Sequence, residues 1–442
     1  MKSRFLAVAA AVGAFAVLAV PAQAKPQTFK VCQHGCKYRT IQSAVKASGK
    51  NDTIKVKPGT YKEAVVVHGH QHDGLSIIGT GKSPGAVTLQ GKNTHTKHGL
   101  AQNGIEAGSV NNLHVKNMKA TNYVANGFYF HECKGYEMRN LVAAYNRSYG
   151  LFAFNCVGGR MTNSVGYGQG DSAFYVGATP FQKNPKWTQL DHLDGHVNVL
   201  GYSGTNSKYV NIHDSAFYNN GLGVVPNTLD SEPFEPNGTG IIEHNMIFWN
   251  DFNYFLPNSP VKTVSGGLGQ IGNLTVNYPT GVGVALFGSD GWKVRENKIF
   301  GNFKWGVALF SDPLGNEGHD AVSMNNQITD NTMGRGGSDT NGVDFFSDGS
   351  GSFNCFSGNQ SSTFDPSPSA TNAFLYPSCP APAPPASGTG SDTGNSDQQF
   401  GDLATYVTAN PPEKQQCSWT IHAHATIKHY NPLLITPGPS CP

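Results

Sequence analysis

Two short acidic stretches are where this chain could do chemistry. The segment PNTLDSEPFEPNG at 226–238 places Asp230, Glu232 and Glu235 within six residues, among Pro226, Pro233 and Pro236. Proline fixes the backbone, and a stiff loop holds side chains in place. Paired carboxyls serve general acid–base catalysis, one giving a proton while the other takes one. Asp230 and Glu232 are the first catalytic candidates, with Phe234 and Glu235 as substrate contacts. The segment LDHLDGH at 190–196 packs Asp191, His192, Asp194 and His196 into seven residues. Such a set could bind a metal or form an acid–base pair. It also reads as the polar outer side of a strand, with Leu190, Leu193 and Val197 facing a core. In an extended strand His192, Asp194 and His196 share one face. Asp191, His192 and Asp194 complete the catalytic candidates.

Other signals are weaker. His68, His70 and His72 alternate in VHGHQHDG, so a strand would put all three on one side as a metal site, although the segment reads equally as a polar turn. Trp187 and Trp249 lie in or beside inserted loops, where flat rings could stack on a ligand. Phe128, Phe130, Phe152, Phe154 and Phe217 read as core. Lys183, Lys186, Lys208, Arg295 and Arg335 are the available basic groups.

What positions these residues is a repeat. GVALF followed by Ser-Asp occurs near 283–290 and again at 306–312. Gly127 and Gly150 are 23 apart and open similar segments, and Asn117, Asn140 and Asn163 keep the same 23-residue beat. Each unit holds short runs of Val, Phe, Tyr and Ile separated by Gly- or Asn-containing corners. A leucine scaffold and helical periodicity are both missing, so the period describes coils of a parallel β-helix. Position i then stacks on i+23, about 4.8 Å away. Cys133 and Cys156 fall one period apart, within reach of a disulfide. The strand before the loop at 226 and the strand before the loop at 311 are copies of one another. Their edge presents Glu132, Asp230, Glu232, Glu235, Asp290, Asp312 and Asp348. Asp290 and Asp312 are its metal candidates, with Asp312 also a substrate contact.

The rest of the chain frames that coil. It has 442 residues, 53 of them Gly, with 14% charged and a net charge of +2, so nothing points to nucleic acid or a membrane surface. Lys2 and Arg4, an apolar run and Ala-Gln-Ala describe a secretory leader ending at Ala24. Eight Cys in an exported chain favour disulfides, pairing as 32–36, 133–156, 355–379 and 417–441. A Pro/Gly/Ser-rich linker at 380–399 follows the β-helix of 25–379, and a clipped tail fills 400–442.

The opening CKYRTIQSAVKASGKNDTIKVKPGTYKEAVVV resembles that of right-handed parallel β-helix proteins of the pectin-lyase-like superfamily. There TIQSAV is a capping helix, DTIKVKPGTYKE the first strand and turn, and LSIIGTG the next coil. The likeness extends over about residues 36–360 and implies an all-β, right-handed solenoid with a helical N-terminal cap. The leader makes an extracellular protein the expectation, and the acidic edge with its loop aromatics makes a polysaccharide the expected partner of a monomer. A lyase would need Ca²⁺ on acidic residues and a basic group, whereas a glycoside hydrolase needs two carboxyls. The basic pair of the family's lyases and the Asp-Pro-His-Asp of mannuronan epimerases are both missing here. A non-catalytic surface protein binding glycan or Ca²⁺ is the alternative.

Overall fold

The computed structural model describes residues 25–252, 254, 261, 269–271, 274–276, 280–311, 322–334, 340–349, 351–360, 363–365 and 375–380. The leader, Asp312 with most of its loop, Arg335, most of 257–279, nearly all of the linker, and the tail with Cys417 and Cys441 lie outside them.

Val, Ile, Phe and Tyr at alternating positions build strands that stack in parallel, one coil on the next. Strands Leu113–Thr121, Tyr136–Ala144, Gly159–Tyr167 and Thr188–His196 lie side by side, so that Val115, Met138, Met161 and Leu190 form one inward column. These long strands turn a corner midway. Asn117, Asn140 and Asn163 sit there with φ of 57°, 52° and 50°, and Asn140 donates its amide to Asn117 at 2.8 Å. Asn tolerates the left-handed region because its short side chain bonds locally.

The third side of the coil is an eleven-stranded parallel sheet. In it Phe128, Leu151, Phe174, Tyr202 and Val224 form one inward column. Strands Val282–Phe287 and Trp305–Phe310, the repeated GVALF, stack directly on each other. The chain is an all-β parallel β-helix, the architecture implied by its resemblance to the pectin-lyase-like superfamily. Helix Ile41–Ala47 caps its start, burying Ile41, Ala44 and Val45, with Thr40 accepting from the Ser43 amide. The Glu63 carboxylate receives the amides of Ile41 and Gln42 at 2.9 and 3.0 Å, filling donors that a helix start leaves open.

Buried Asn side chains tie the coils together. One ladder runs from Asn146 through Gln169, Asn198, Asn220, Asn250 and Asn302 to Asn341, each rung an amide hydrogen bond. Disulfides join Cys32–Cys36, Cys133–Cys156 and Cys355–Cys379, and the second, with Cα atoms 4.5 Å apart, is the stacked bridge the period demands.

Three local points are decided by the geometry, the first in favour of the polar turn. His68 ends a strand, Gly69 turns at φ 89°, and His70–His72 form a 3₁₀ turn with His72 buried, so the three imidazoles share no face. His192 takes the place of the corner Asn, with φ 52°, which separates it from Asp194 and His196. Phe152 and Phe154 point outward, half-buried, while Phe128, Phe130 and Phe217 are core.

Candidate active site

The outward residues of three neighbouring strands, Phe128–His131, Leu151–Phe154 and Ser172–Gly177, build a wall of rings. Register places Tyr129, Phe152 and Tyr175 in one column. Tyr129 stacks on Phe152 at 4.5 Å, and Phe152 meets Tyr175 edge-on at 4.7 Å. Tyr149, entering from the preceding corner, lies 4.6 Å from both Phe152 and Tyr175.

The proline-rich loop returns to this wall. It leaves strand Leu222–Asn227, two coils beyond Tyr175. Asn206, at a corner with φ 50°, pins it by donating to the carbonyls of Leu229 and Glu232 at 2.7 and 2.8 Å and accepting from the Leu229 amide at 3.1 Å. Lys208 donates to the carbonyls of Phe234 and Pro236. So held, the Glu232 carboxyl accepts from the Tyr175 hydroxyl at 2.9 and 3.1 Å.

A second carboxyl lies within electrostatic reach of Glu232. Asp171 immediately precedes strand Ser172–Gly177, in the backbone stack of Ala125 and Ser148, with Val199 next by the pairing of Ser172 with Leu200. Its Oδ1 is sealed from solvent and has no hydrogen-bond partner among the described residues. Burial, and then the charge of Glu232, push the Asp171 carboxyl up to about 7. Burial also raises Glu232 to about 7, with the Tyr175 hydrogen bond pulling the other way. Burial and then Glu106, Glu132 and Glu232 raise the Tyr129 phenol, so three carboxyls lie within electrostatic reach of it. Burial is thus the main cause at both acids, and the charge of Glu232 adds to the rise at Asp171.

The other candidates fall elsewhere. Asp230 is exposed on the same loop, Phe234 is 42% exposed, and Glu235 is half-buried. Asp191 is a structural ion pair. Burial opposes its charge, but Arg160 at 2.7 and 2.9 Å, Thr162 at 2.7 Å and His192 at 2.8 Å hold its carboxyl down at about 2. Asp194 and His196 bond at 2.6 Å, 2% and 1% exposed, and the imidazole stacks between Tyr167 and Tyr218. Trp187 packs edge-on to Tyr209, and Trp249 against Phe248 and Phe300 on another side of the coil.

The acidic edge is not continuous. Glu132 occupies a corner with φ 54°, but Asp290 belongs to the strand Ser289–Asp290, which pairs with Asn237 and Gly238, and accepts from Asn325 at 2.8 Å. Asp348 is buried and receives the Ser311 amide at 2.6 Å. Among the described residues no three or more His, Cys, Asp or Glu come together to hold a metal ion. Asp290 is not joined by two further ligating residues among them, and Asp312, the other metal candidate, lies outside them.

Glu232 was legible in the sequence; Asp171 and the wall were not. The available signal was a charge at Asp171 where its stack neighbours are Ala125, Ser148 and Val199.

No family model matches the chain, and no curated protein matches it. Among solved structures it is similar to the A-module of mannuronan C-5 epimerase AlgE4 from Azotobacter vinelandii, at 14% identity over 74% of this chain and 91% of that one, with a TM-score of 0.47. It is also similar to XylC in complex with xylose, at 9% identity over 70% of each chain and a TM-score of 0.49. A third is an alginate lyase from Paenibacillus sp. str. FPU-7, at 12% identity over 76% and 97%, with a TM-score of 0.39.

Proposed function

We propose that the chain is an exported glycoside hydrolase acting on an uncharged glycan, with Asp171 and Glu232 as its catalytic carboxyls. The observation that carries this is the pair itself, two acids held near neutral pH beside an aromatic wall. Sugar faces are apolar enough to stack on rings, and the wall offers Tyr129, Tyr149 and Phe152 to them. The protonated carboxyl gives its proton to the leaving oxygen as the C–O bond breaks. Water then supplies the hydroxyl at the anomeric carbon, and its proton passes to the other carboxylate. Glu106, Glu132, Asp171 and Glu232 near the wall would repel a uronate, which favours hydrolase over lyase chemistry. The three disulfides fit an oxidising compartment, in keeping with export.

Purified protein is incubated with xylan, β-glucan and arabinan, and separately with alginate and polygalacturonate. New reducing ends without ultraviolet absorbance, lost in Glu232→Gln, support the hydrolase. An unsaturated uronate product would make it a lyase. Retention on a polymer without any release would make it a binding protein.

A further inference from the structure

The outer face of the eleven-stranded sheet is open at one end and covered at the other. Along one outward column, Glu106, Tyr129 and Phe152 are half-buried, while Tyr175, Ser203 and Val225 are 2%, 2% and 0% exposed. Beyond that point the outward side chains, Val225 and Phe310 among them, join an apolar cluster with Phe252 and Tyr254 outside the coil. The transition falls at the carboxyl pair. There the loop pinned by Asn206 reaches back across the intervening strand to Tyr175 and stands as an end wall.

We propose that the ring wall is a blind track and that the enzyme attacks its glycan from a chain end. A polymer lying along Tyr129 and Phe152, with its scissile bond between Asp171 and Glu232, meets no open surface past the loop among the described residues of this column. Only a short terminal piece fits on the far side of the bond. Val66, paired with Glu106 and 47% exposed, adds a fourth open row; at about 4.8 Å per step the four rows span about 14 Å, enough for two or three sugar units on the near side. Val66 and Glu106, at the open end, would contact the unit farthest from the cut, and Tyr129 the unit before it.

The inference rests on the hydrolase reading above, and one experiment separates the two. The full chain is incubated with whichever of xylan, β-glucan or arabinan it cleaves, following viscosity, reducing ends and product sizes from the first minutes. Expected are mono- or disaccharides from the earliest time point, with viscosity lagging behind reducing ends. An early ladder of long products with a rapid viscosity fall overturns chain-end attack but leaves the carboxyl pair standing, provided Glu232→Gln abolishes that cleavage. No cleavage of any polymer overturns the hydrolase reading, and this inference with it. In Tyr129→Ala the advantage of a hexasaccharide over a disaccharide, taken as the ratio of kcat/KM values, should fall about three- to tenfold, the worth of one ring contact. An unchanged ratio overturns the track.

Discussion

Two acidic groups in this molecule have the same residue types and opposite electrostatics. Asp191 is almost fully buried, yet a guanidinium, a hydroxyl and an imidazole surround it, and its carboxyl is held at about 2. Asp171 is less covered as a residue, but its Oδ1 has no donor among the described residues and Glu232 is its charged neighbour. The first carboxylate is a finished structural contact with no proton to exchange at neutral pH. The second is left wanting a proton. Catalytic potential here follows from partners withheld more than from acids accumulated, since burial without compensation is what moves a carboxyl towards neutrality.

The comparison breaks first at the pair. Glu232→Gln and Asp171→Asn should each lower kcat by about 10³-fold with the β-sheet circular dichroism unchanged. Asp191→Asn should leave the reaction nearly intact. If Asp191→Asn abolishes turnover without unfolding while Asp171→Asn does not, the two groups have been assigned the wrong way round.

Stability ranks the two structural carboxyls, Asp194 and Asp191, next. Asp194→Ala leaves His196 in its buried stack without its 2.6 Å partner, and should cost about 2–3 kcal/mol in urea melts. Asp191→Asn should cost less, about 1 kcal/mol, because Arg160 is half-exposed to water.

The pH dependence of these terms has opposite signs. Asp171 and Glu232 are raised, so their contribution to stability is full below about pH 4 and lost as pH rises through about 7. Asp191 is lowered, so its contribution is present above about pH 4 and lost as pH falls through about 2. Thermal melts should show Asp171→Asn gaining on the parent protein between pH 5 and 8. Asp191→Asn should converge with the parent near pH 2. Parallel curves for both variants would deny the difference.

Asp230→Asn should have the smallest effect. Its carboxyl is exposed, and activity should change less than about threefold. A loss as deep as that of Glu232→Gln would return Asp230 to the catalytic pair.

The coil was legible because its signals are local and recur. Asn117, Asn140 and Asn163 mark a corner that needs a left-handed backbone, and Cys133 and Cys156 inherit their contact from the same beat. Glu232 could be picked out because prolines flank it. His192 could not be assigned to the corner, since the insertion after Ala178 shifts its count, and the corner breaks the alternation drawn through it. Phe152 looked like core because an aromatic side chain has the same letter on either face of a sheet. Asp171 was invisible for a different reason. Its environment depends on a loop about 60 residues downstream, and desolvation by a distant segment leaves no mark on the local sequence.

The amide ladder from Asn146 to Asn341 keeps a different count from the chain. Successive rungs are 23, 29, 22, 30, 52 and 39 residues apart in sequence, yet each is one hydrogen bond in space. The scaffold registers turns and ignores how much polypeptide lies between them. Lengthening a loop leaves every rung in place, so new material can be added at a corner without renegotiating the core. The acid-bearing loop after Asn227 is such an addition, held by one corner Asn and one Lys. A molecule built this way can change its chemistry by exchanging a loop while its skeleton stays inherited.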